Sequence, residues 1–380
     1  NRETTRLTSG NTMKIIFTLS LLCLLAMNAR SELPLESYGQ LTLDPLPQHT
    51  LLINTFSHNA VLFDADTQRM LGMISTGIGA NAFEVDREKG IVHTAETYLS
   101  RHTRGQRTDV ISTYDIKTLS PIGEITIAPK HPSGSPMRHY TGIVKDSETE
   151  LMLVTNITPA MSVSVVDLKS GTFLREIPTA GCGLVYPSEN LSFLQLCGDG
   201  RAQLITLDKK GEEKSRVRSE VFFDLETDPL MEKPAKSEAG WVFNTFRGKV
   251  FQIAAESGKI SISLLFNVGG DDEGWRIGGM QPVAFHKPSQ LLLLLMHQGG
   301  VDTHKDPGTE VWYVSLATGA TTHRLTLAVP ANSIQVSQDE SALLYAGSIA
   351  EDQVQIYDLK TTVSKGTISD IGLPTILQNL

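Results

Sequence analysis

The sequence predicts an all-β fold, a seven-bladed β-propeller, and three observations support this prediction. One pattern recurs: an alternating apolar strand, then Asp or a small residue, then a turn with Thr, Ser or Gly. Its seven copies are marked by Asp64, Asp115, Asp167, Asp208, Ala254, Ser315 and Asp358. The six intervals cover 294 residues and average 49, and no amphipathic helical stretch lies between them. A parallel β-helix needs a shorter repeat, and a sandwich does not explain seven matching turns.

Each copy is interpreted as the third strand of a blade, a hairpin turn and the fourth strand. The second copy illustrates this order, because residues 110–118 are followed by another alternating stretch at 122–127. Residues 214–239 are rich in charge and contain two prolines, so a long connection is expected there. No domain boundary is visible after residue 40, and residues 32–380 are expected to form a single propeller domain.

Residues 1–31 are interpreted as upstream residues followed by a cleaved signal peptide. After Met13 and Lys14, residues 15–27 form an unbroken run of 13 apolar and small residues. Such a run is too short to cross ~30 Å of hydrocarbon as a helix but suits a signal-peptide core. Residues 29–31, Ala-Arg-Ser, supply a small-x-small cleavage pattern. Export is therefore expected, and a buried N-terminal helix is the alternative.

Composition and charge exclude several classes of function. Hydrophobic residues make up 40% of the chain and charged residues 20%, which excludes a disordered tail protein. The formal charge is −9, so neither nucleic acid nor an anionic membrane surface is expected as a main partner. Loss of residues 1–31 removes four basic residues and one acidic residue, which leaves 29 − 41 = −12.

Two cysteines, Cys182 and Cys197, remain after signal cleavage and lie 15 positions apart. In an exported protein they are a natural pair, and closing this loop would add about 3 kcal/mol of stability. The segments around them look like adjacent strands with Asn190 in the turn, which would bring the sulfurs close. Two buried free thiols are the alternative.

The motifs in the sequence predict no catalytic, cofactor-binding or metal-binding residue in this chain. The sequence contains no Gly-x-Ser-x-Gly, no His-Glu-x-x-His and no phosphate-binding Gly-Lys-Ser/Thr motif. Residues 268–274 include three acids without the ligand spacing of a calcium loop, so a solvated turn is expected. His297 and His304 lack a third ligand and are interpreted as loop histidines.

Residues 95–109, AETYLSRHTRGQRTD, closely resemble the heavy subunit of the tryptophan tryptophylquinone amine dehydrogenases. This family comprises the methylamine and aromatic amine enzymes. Residues 274–286 and 334–346 are similar to further family segments, and the Cys182/Cys197 pair is similar to the family's heavy-chain disulfide. Residues 296–312 favour the aromatic amine type.

The resemblance implies a periplasmic seven-bladed propeller that packs with a small, disulfide-rich light subunit in a heterotetramer. The tryptophan tryptophylquinone cofactor would be built from two tryptophans of the light subunit. Trp241, Trp275 and Trp312 of this chain would then be structural. The reaction implied is oxidative deamination of a primary amine to aldehyde and ammonia, with electrons passing to a small copper protein or a cytochrome.

The resemblance also implies that the segment matching residues 76–81 lines the substrate channel. The substrate-channel candidates are Ile78, Gly79 and Asn81. Family members place an aromatic gate near position 78, whereas this chain has the aliphatic Ile78 followed by a glycine. The gate is therefore expected to be wider or absent, which leaves the preferred amine open.

Two other classes of function remain open. The first is a stand-alone periplasmic propeller that acts as a binding or scaffold protein without a light subunit. The second is a propeller enzyme with its own chemistry at the channel mouth, such as a lactonase or a metal-dependent hydrolase. The basic segment 101–107 fits either a solvated hairpin tip or a docking site for an acidic surface.

Overall fold

The computed structural model describes residues 42–268, 274–300 and 302–380. The predicted signal peptide at 1–31, the start of the mature chain at 32–41 and the acidic residues 271–273 lie outside these ranges. Thr42–Leu380 forms one compact unit. In the described ranges the only helix is the 3-10 helix Arg138–Tyr140, and no helix there is long and apolar enough to cross a membrane.

The strands form seven antiparallel sheets, the blades of the propeller. Blade 1 contains β1 (Thr50–Thr55), β2 (Asn59–Asp64) and β3 (Arg69–Ser75). Blade 2 contains β4 (Phe83–Asp86), β5 (Ile91–Leu99), β6 (Arg107–Asp115) and β7 (Pro121–Ile127). Blade 3 contains β8 (Thr141–Lys145), β9 (Glu150–Asn156), β10 (Ser162–Asp167) and β11 (Thr172–Pro178). Blade 4 contains β12 (Cys182–Pro187), β13 (Ser192–Cys197), β14 (Ala202–Leu207) and β15 (Glu213–Arg218).

The remaining blades follow the same order. Blade 5 contains β16 (Ala235–Ser237), β17 (Gly240–Asn244), β18 (Lys249–Glu256) and β19 (Lys259–Asn267). Blade 6 contains β20 (Trp275–Ile277), β21 (Val283–His286), β22 (Leu291–Gln298), β23 (Gly308–Ser315) and β24 (Thr321–Ala331). Blade 7 contains β25 (Ser333–Val336), β26 (Leu343–Ser348), β27 (Gln353–Asp358) and β28 (Ser364–Ser369). The last strand, β29 (Pro374–Asn379), pairs with β1 as the innermost strand of blade 1 and closes the ring.

The prediction of a seven-bladed β-propeller is confirmed, and the seven sequence copies correspond to the third strands. The third strands are β2, β6, β10, β14, β18, β23 and β27. The predicted connection at 214–239 is wrong in part, because its ends lie in β15 and β16 and the connection spans 219–234. All six residues of β15 are exposed, so this outer strand has the polar composition of a loop.

The apolar core lies between neighbouring blades. Strands β1 and β9 are buried along their whole length. Between blades 6 and 7, Leu293 and Leu295 pack in one cluster with Ile334 and Leu344. Strands that are covered on both faces carry continuous apolar runs, and β22 with its five consecutive leucines is an example.

Every blade repeats the same strand order, so all inner strands run in the same direction and the ring has two different faces. We call the face where the inner strands begin the top face and the face where they end the bottom face. The connections from an outer strand to the next inner strand lie at the top face, and 76–82 and 128–140 are two of them. The hairpins between second and third strands also lie there.

Candidate functional site

The predicted channel segment, residues 76–81, is a top-face connection that leads from β3 to β4. The Ile78 backbone N–H donates to the Thr97 carbonyl at 2.8 Å, and the Ala80 N–H donates to the Ser133 carbonyl at 3.0 Å. Inside the segment, the Asn81 Nδ2 donates to Thr76 Oγ1 at 2.9 Å. The segment is therefore fixed by blade 2 and by the next top-face connection.

Gly79 occupies a position that no other residue fits without a shift. Its φ is +102°, and a Cβ atom there would lie 1.5 Å from the Ser133 carbonyl oxygen. Its N–H donates to the Nδ1 of His58 at 2.9 Å. The side chain of Ile78 is half-buried beside it. Of the three candidates, Ile78 and Gly79 thus present partly open surface, whereas Asn81 is buried and holds the segment together.

Large apolar side chains are exposed around this segment at the top face. Phe56 follows β1, Ile157 follows β9 and Leu373 precedes β29, and each is at least 36% exposed. The Phe56 N–H donates to the Leu373 carbonyl at 3.3 Å, so these two residues are neighbours. Tyr98, near the end of β5, is also exposed. Phe56 and Leu373 therefore form a small exposed apolar patch, and contiguous exposed apolar surface is typical of a face that binds a partner.

Residues 95–109, which resemble the amine dehydrogenase heavy subunit, contribute to a buried charge cluster directly below the top face. Asp109 is fully buried and accepts hydrogen bonds from the Arg107 Nε at 2.7 Å and the His131 Nδ1 at 2.8 Å. Burial opposes the charged form, but the bonds from His131 and Arg107 outweigh it and lower the pKa of Asp109. Arg107 also donates to the His131 carbonyl at 2.6 Å, two residues before Ser133. The cluster therefore anchors the connection that supports Gly79.

Thr97, His131 and Asp109 have the order of a hydroxyl–imidazole–carboxylate triad, but their geometry is structural. The Thr97 hydroxyl donates to Asp109 at 3.1 Å, and the His131 Nε2 lies 3.4 Å from the Thr97 hydroxyl oxygen. All three side chains are buried, so no substrate reaches the hydroxyl. The hairpin tip at 101–106 is exposed, whereas Arg107 of the same basic segment points into the cluster.

A second buried carboxylate, Glu96, lies next to Thr97 and was not singled out in the sequence. It is fully buried and accepts hydrogen bonds from the hydroxyls of Tyr98 at 2.6 Å and Ser112 at 2.7 Å. The Tyr114 hydroxyl lies 3.0 Å from its other oxygen. Burial raises the pKa of Glu96 because no described cation pairs with it. An acid within the apolar alternation of β5 was the signal available in the sequence.

The cysteines and histidines singled out in the sequence lie apart from this segment. Cys182 and Cys197 are opposite each other on β12 and β13 and form a disulfide near the top face. Asn190 lies in the turn between these strands. His297 is buried and neither of its ring nitrogens has a hydrogen-bond partner, so it makes no pair with His304. In the described part of the chain, no group of three or more His, Cys, Asp or Glu could hold a metal ion.

Comparison with known proteins points to one family. A model of the methylamine dehydrogenase heavy chain family matches residues 47–379. The methylamine dehydrogenase heavy chain of Methylorubrum extorquens is 29% identical over 333 residues, which cover 86% of this chain and 79% of that protein. The protein of the same name from Methylophilus methylotrophus is 30% identical over 319 residues, covering 81% and 76%. These relatives carry the methylamine name and give no support to the aromatic amine type that residues 296–312 favour.

Solved structures show the same fold at low sequence identity. The dihydro-heme d1 dehydrogenase NirN in complex with DHE superimposes with a TM-score of 0.56 at 15% identity, covering 91% of this chain and 77% of that one. Apo AztD from Citrobacter koseri gives 0.51 at 12% identity, covering 86% and 96%. At such identities the likeness concerns the propeller alone.

Proposed function

The chain belongs to the methylamine dehydrogenase heavy chain family, and from this premise we propose that it is the heavy subunit of a periplasmic, quinone-dependent amine dehydrogenase. A small, disulfide-rich light subunit would complete a heterotetramer and carry the tryptophan tryptophylquinone. When bound, that group supplies the two-electron oxidation that converts a primary amine to an aldehyde and ammonia. A small copper protein or a cytochrome would accept the electrons.

The observation that carries this proposal is the extent of the family match. It runs from residue 47 to residue 379 and so includes all the blades together with β29, the strand that closes the ring. The segment with the strongest resemblance also contributes Arg107 and Asp109, which anchor the top face. The match therefore covers both the scaffold and the residues that shape the candidate site.

The role of this chain in the proposal is to bind the light subunit and shape the amine path. Phe56, Ile157 and Leu373 offer apolar surface for a partner at the top face. Residues 76–81 would lie at the border of that contact. Ile78 has a side chain smaller than an aromatic gate, and Gly79 adds no side chain, so the path would admit bulkier amines.

The tryptophans of this chain support a cofactor carried by the other subunit. Trp312 is buried, its Nε1 donates to Glu310 at 2.8 Å, and Arg324 stacks 3.7 Å from its ring centroid. Trp275 packs against Trp312 with ring centroids 5.4 Å apart. Trp241 is buried in blade 5. All three rings are used in blade packing.

The periplasmic location in the proposal is supported by two features. The apolar run at 15–27 is typical of a signal peptide. The disulfide between Cys182 and Cys197 is suited to an oxidising compartment.

Co-expression with a light subunit tests the proposal. The chain would be produced with its signal segment, with and without a methylamine dehydrogenase light subunit and the proteins that mature it. We expect a complex with a visible quinone band that bleaches when a primary amine is added. Recovery of the propeller alone, colourless and unresponsive to amines in both preparations, would contradict the proposal and favour a stand-alone binding or scaffold propeller.

A further inference from the structure

The central channel holds a cavity of about 350 Å³ toward the bottom face. Its walls come mainly from residues at or just beyond the ends of the inner strands β4, β21, β25 and β29. Residues 137–139 and 233–236 complete the wall from blades 3 and 5; they come from the ends of the top-face connections that lead into β8 and β16 and from the start of β16 itself. The cavity is therefore built by distant parts of the chain that meet only when the ring closes.

The described residues that line this cavity include five cationic side chains and no Asp or Glu. The cations are Arg87, Arg138, Lys233, Lys236 and Lys287. This composition runs against that of the whole chain, in which 42 acidic residues outnumber 33 basic ones. The charge of the cavity is thus a local feature.

Only one of the five cations is neutralised by an ion pair with a described residue. Arg138 donates to Glu84 at 2.6 Å. Lys233 donates to the Gly279 carbonyl at 2.7 Å, which satisfies a hydrogen bond but leaves the charge unbalanced. Glu232 and Glu189 influence Lys233 and Lys236 from a distance, and neither forms an ion pair with them. Four positive charges therefore face the cavity.

Burial and neighbouring cations lower the pKa of two of these lysines. Burial, together with the charge of Lys305, lowers the pKa of Lys233 to about 8. Burial and the charge of Lys287 lower the pKa of Lys236. Clustering like charges at a concave site carries an energetic cost that a bound anion would offset.

The other wall groups fit an organic ligand. Lys236 lies 4.6 Å from the centroid of the Trp241 ring, so an aromatic face stands beside the charges. The amides of Gln281 and Gln378 already donate to the Leu377 and Phe83 carbonyls. The remaining wall amides, Gln335, Gln338 and Asn379, also donate to backbone carbonyls. Lys236 makes one long bond of this kind, to Pro187 at 3.4 Å, so the cationic groups carry most of the N–H donors left for a ligand.

We propose that this channel cavity binds a small anion with two or more carboxylate or phosphate groups. The cavity volume lies within the range of small-molecule sites, and the spread of four cations around it suits several negative groups better than one. The cations would repel the ammonium group of an amine substrate, so the cavity suits an anion and not the amine. The inference does not depend on the proposed dehydrogenase function.

Isothermal titration of the full chain tests this site with citrate and pyrophosphate as probes and acetate as the singly charged control, all at one ionic strength. We expect citrate or pyrophosphate to bind with one site per chain, and acetate to bind at least tenfold more weakly. The double variant Lys233→Gln/Lys287→Gln is expected to weaken binding at least tenfold. Tighter binding of citrate would assign carboxylate as the preferred group, and tighter binding of pyrophosphate would assign phosphate.

The matched control is Lys210→Gln/Lys259→Gln, which removes the same charge from turn and outer-strand positions elsewhere on the ring. It is expected to bind the probe within twofold of the natural chain. If the cavity double variant loses its cooperative melting transition, the titration is repeated with Arg87→Gln. The Arg87 side chain is exposed, so its replacement is expected to leave the fold intact. Absence of binding of both multivalent probes, or equal loss in cavity and control variants, would overturn the proposal.

Discussion

The two faces of the propeller handle charge in opposite ways. Below the top face, Asp109 is fully buried, its charge is balanced by Arg107 and it accepts a further hydrogen bond from His131. In the channel cavity, Lys233 and Lys287 line open space without an ion-pair partner among the described residues. Paired buried charges fix the geometry of a surface, whereas unpaired charges around a cavity remain available to a ligand. Under the two proposals, the top face binds a macromolecular partner and the channel cavity binds a small anion.

The largest expected effect comes from breaking the buried cluster. Asp109→Ala would leave His131 and Arg107 without their acceptor, and loss of one member of a buried pair costs about 3–5 kcal/mol. Urea denaturation should therefore show a much lower midpoint with an unchanged slope. Lys287→Ala at the bottom face is the control; it removes a charge repelled by Lys236 and is expected to leave the midpoint unchanged or slightly higher. Equal losses in both variants would contradict the division between the faces.

The disulfide is expected to contribute somewhat less than the charge cluster. Cys182→Ser/Cys197→Ser removes a cross-link that closes a 15-residue separation, which corresponds to about 3 kcal/mol. Scanning calorimetry should show a lower Tm for the variant, and reduction of the natural chain should produce a similar shift. A reduced natural chain that melts like the oxidised one would show that the bond does not stabilise the top face.

Glycine substitutions separate backbone strain from crowding at the candidate site. Gly79→Ala is expected to cost about 2 kcal/mol, because the residue has a positive φ and a Cβ would meet Ser133. Gly90→Ala is the matched control, since Gly90 has a φ of +66° but nothing within 4 Å of its Cβ position. It should cost about 1 kcal/mol. If both variants lose the same stability in urea, the contact with Ser133 does not constrain the segment.

The smallest effect is a pH dependence that distinguishes the two buried carboxylates. The raised pKa of Glu96 means that its stabilising contribution is complete below the unfolded pKa and is lost as pH rises through the folded pKa. The lowered pKa of Asp109 has the opposite consequence, because its contribution is lost as pH falls. Glu96→Gln mimics the protonated form, so it should flatten the decline in stability that the natural chain shows as pH rises above ~4.5.

Urea midpoints measured from pH 4 to pH 8 check this expectation. The natural chain and Glu96→Gln should converge in acid and diverge toward neutral pH, where the variant retains more stability. Glu96→Ala serves as the control, because it removes the hydrogen bonds to Tyr98 and Ser112 at every pH. Parallel curves for the natural chain and Glu96→Gln would contradict a raised pKa.

The fold could be predicted from the sequence because its signal is local. Each third strand carries an alternating apolar pattern followed at once by its turn, as in β6 and β27. The inner and outer strands gave less signal. The inner strands β16 and β20 are only three residues long, and the exposed strand β15 has the polar composition of a connection.

The candidate sites were predictable to different extents. Ile78, Gly79 and Asn81 came from a family resemblance, which locates a segment but not its supports at Thr97 and Ser133. The cationic cavity gave no sequence signal, because Arg87 and Lys287 are 200 positions apart and meet only across the closed ring. Proximity of this kind is set by ring closure, and no local pattern encodes it.

Hydrogen–deuterium exchange on the chain with and without its light subunit tests the central claim, that the top face holds the partner and the amine path. If the top face holds the partner, exchange should slow after complex formation at residues 76–81 and around Phe56 and Leu373 and stay unchanged in the bottom-face turns at 85–89 and 287–290. Protection confined to the bottom-face peptides, with none at 76–81, would contradict it.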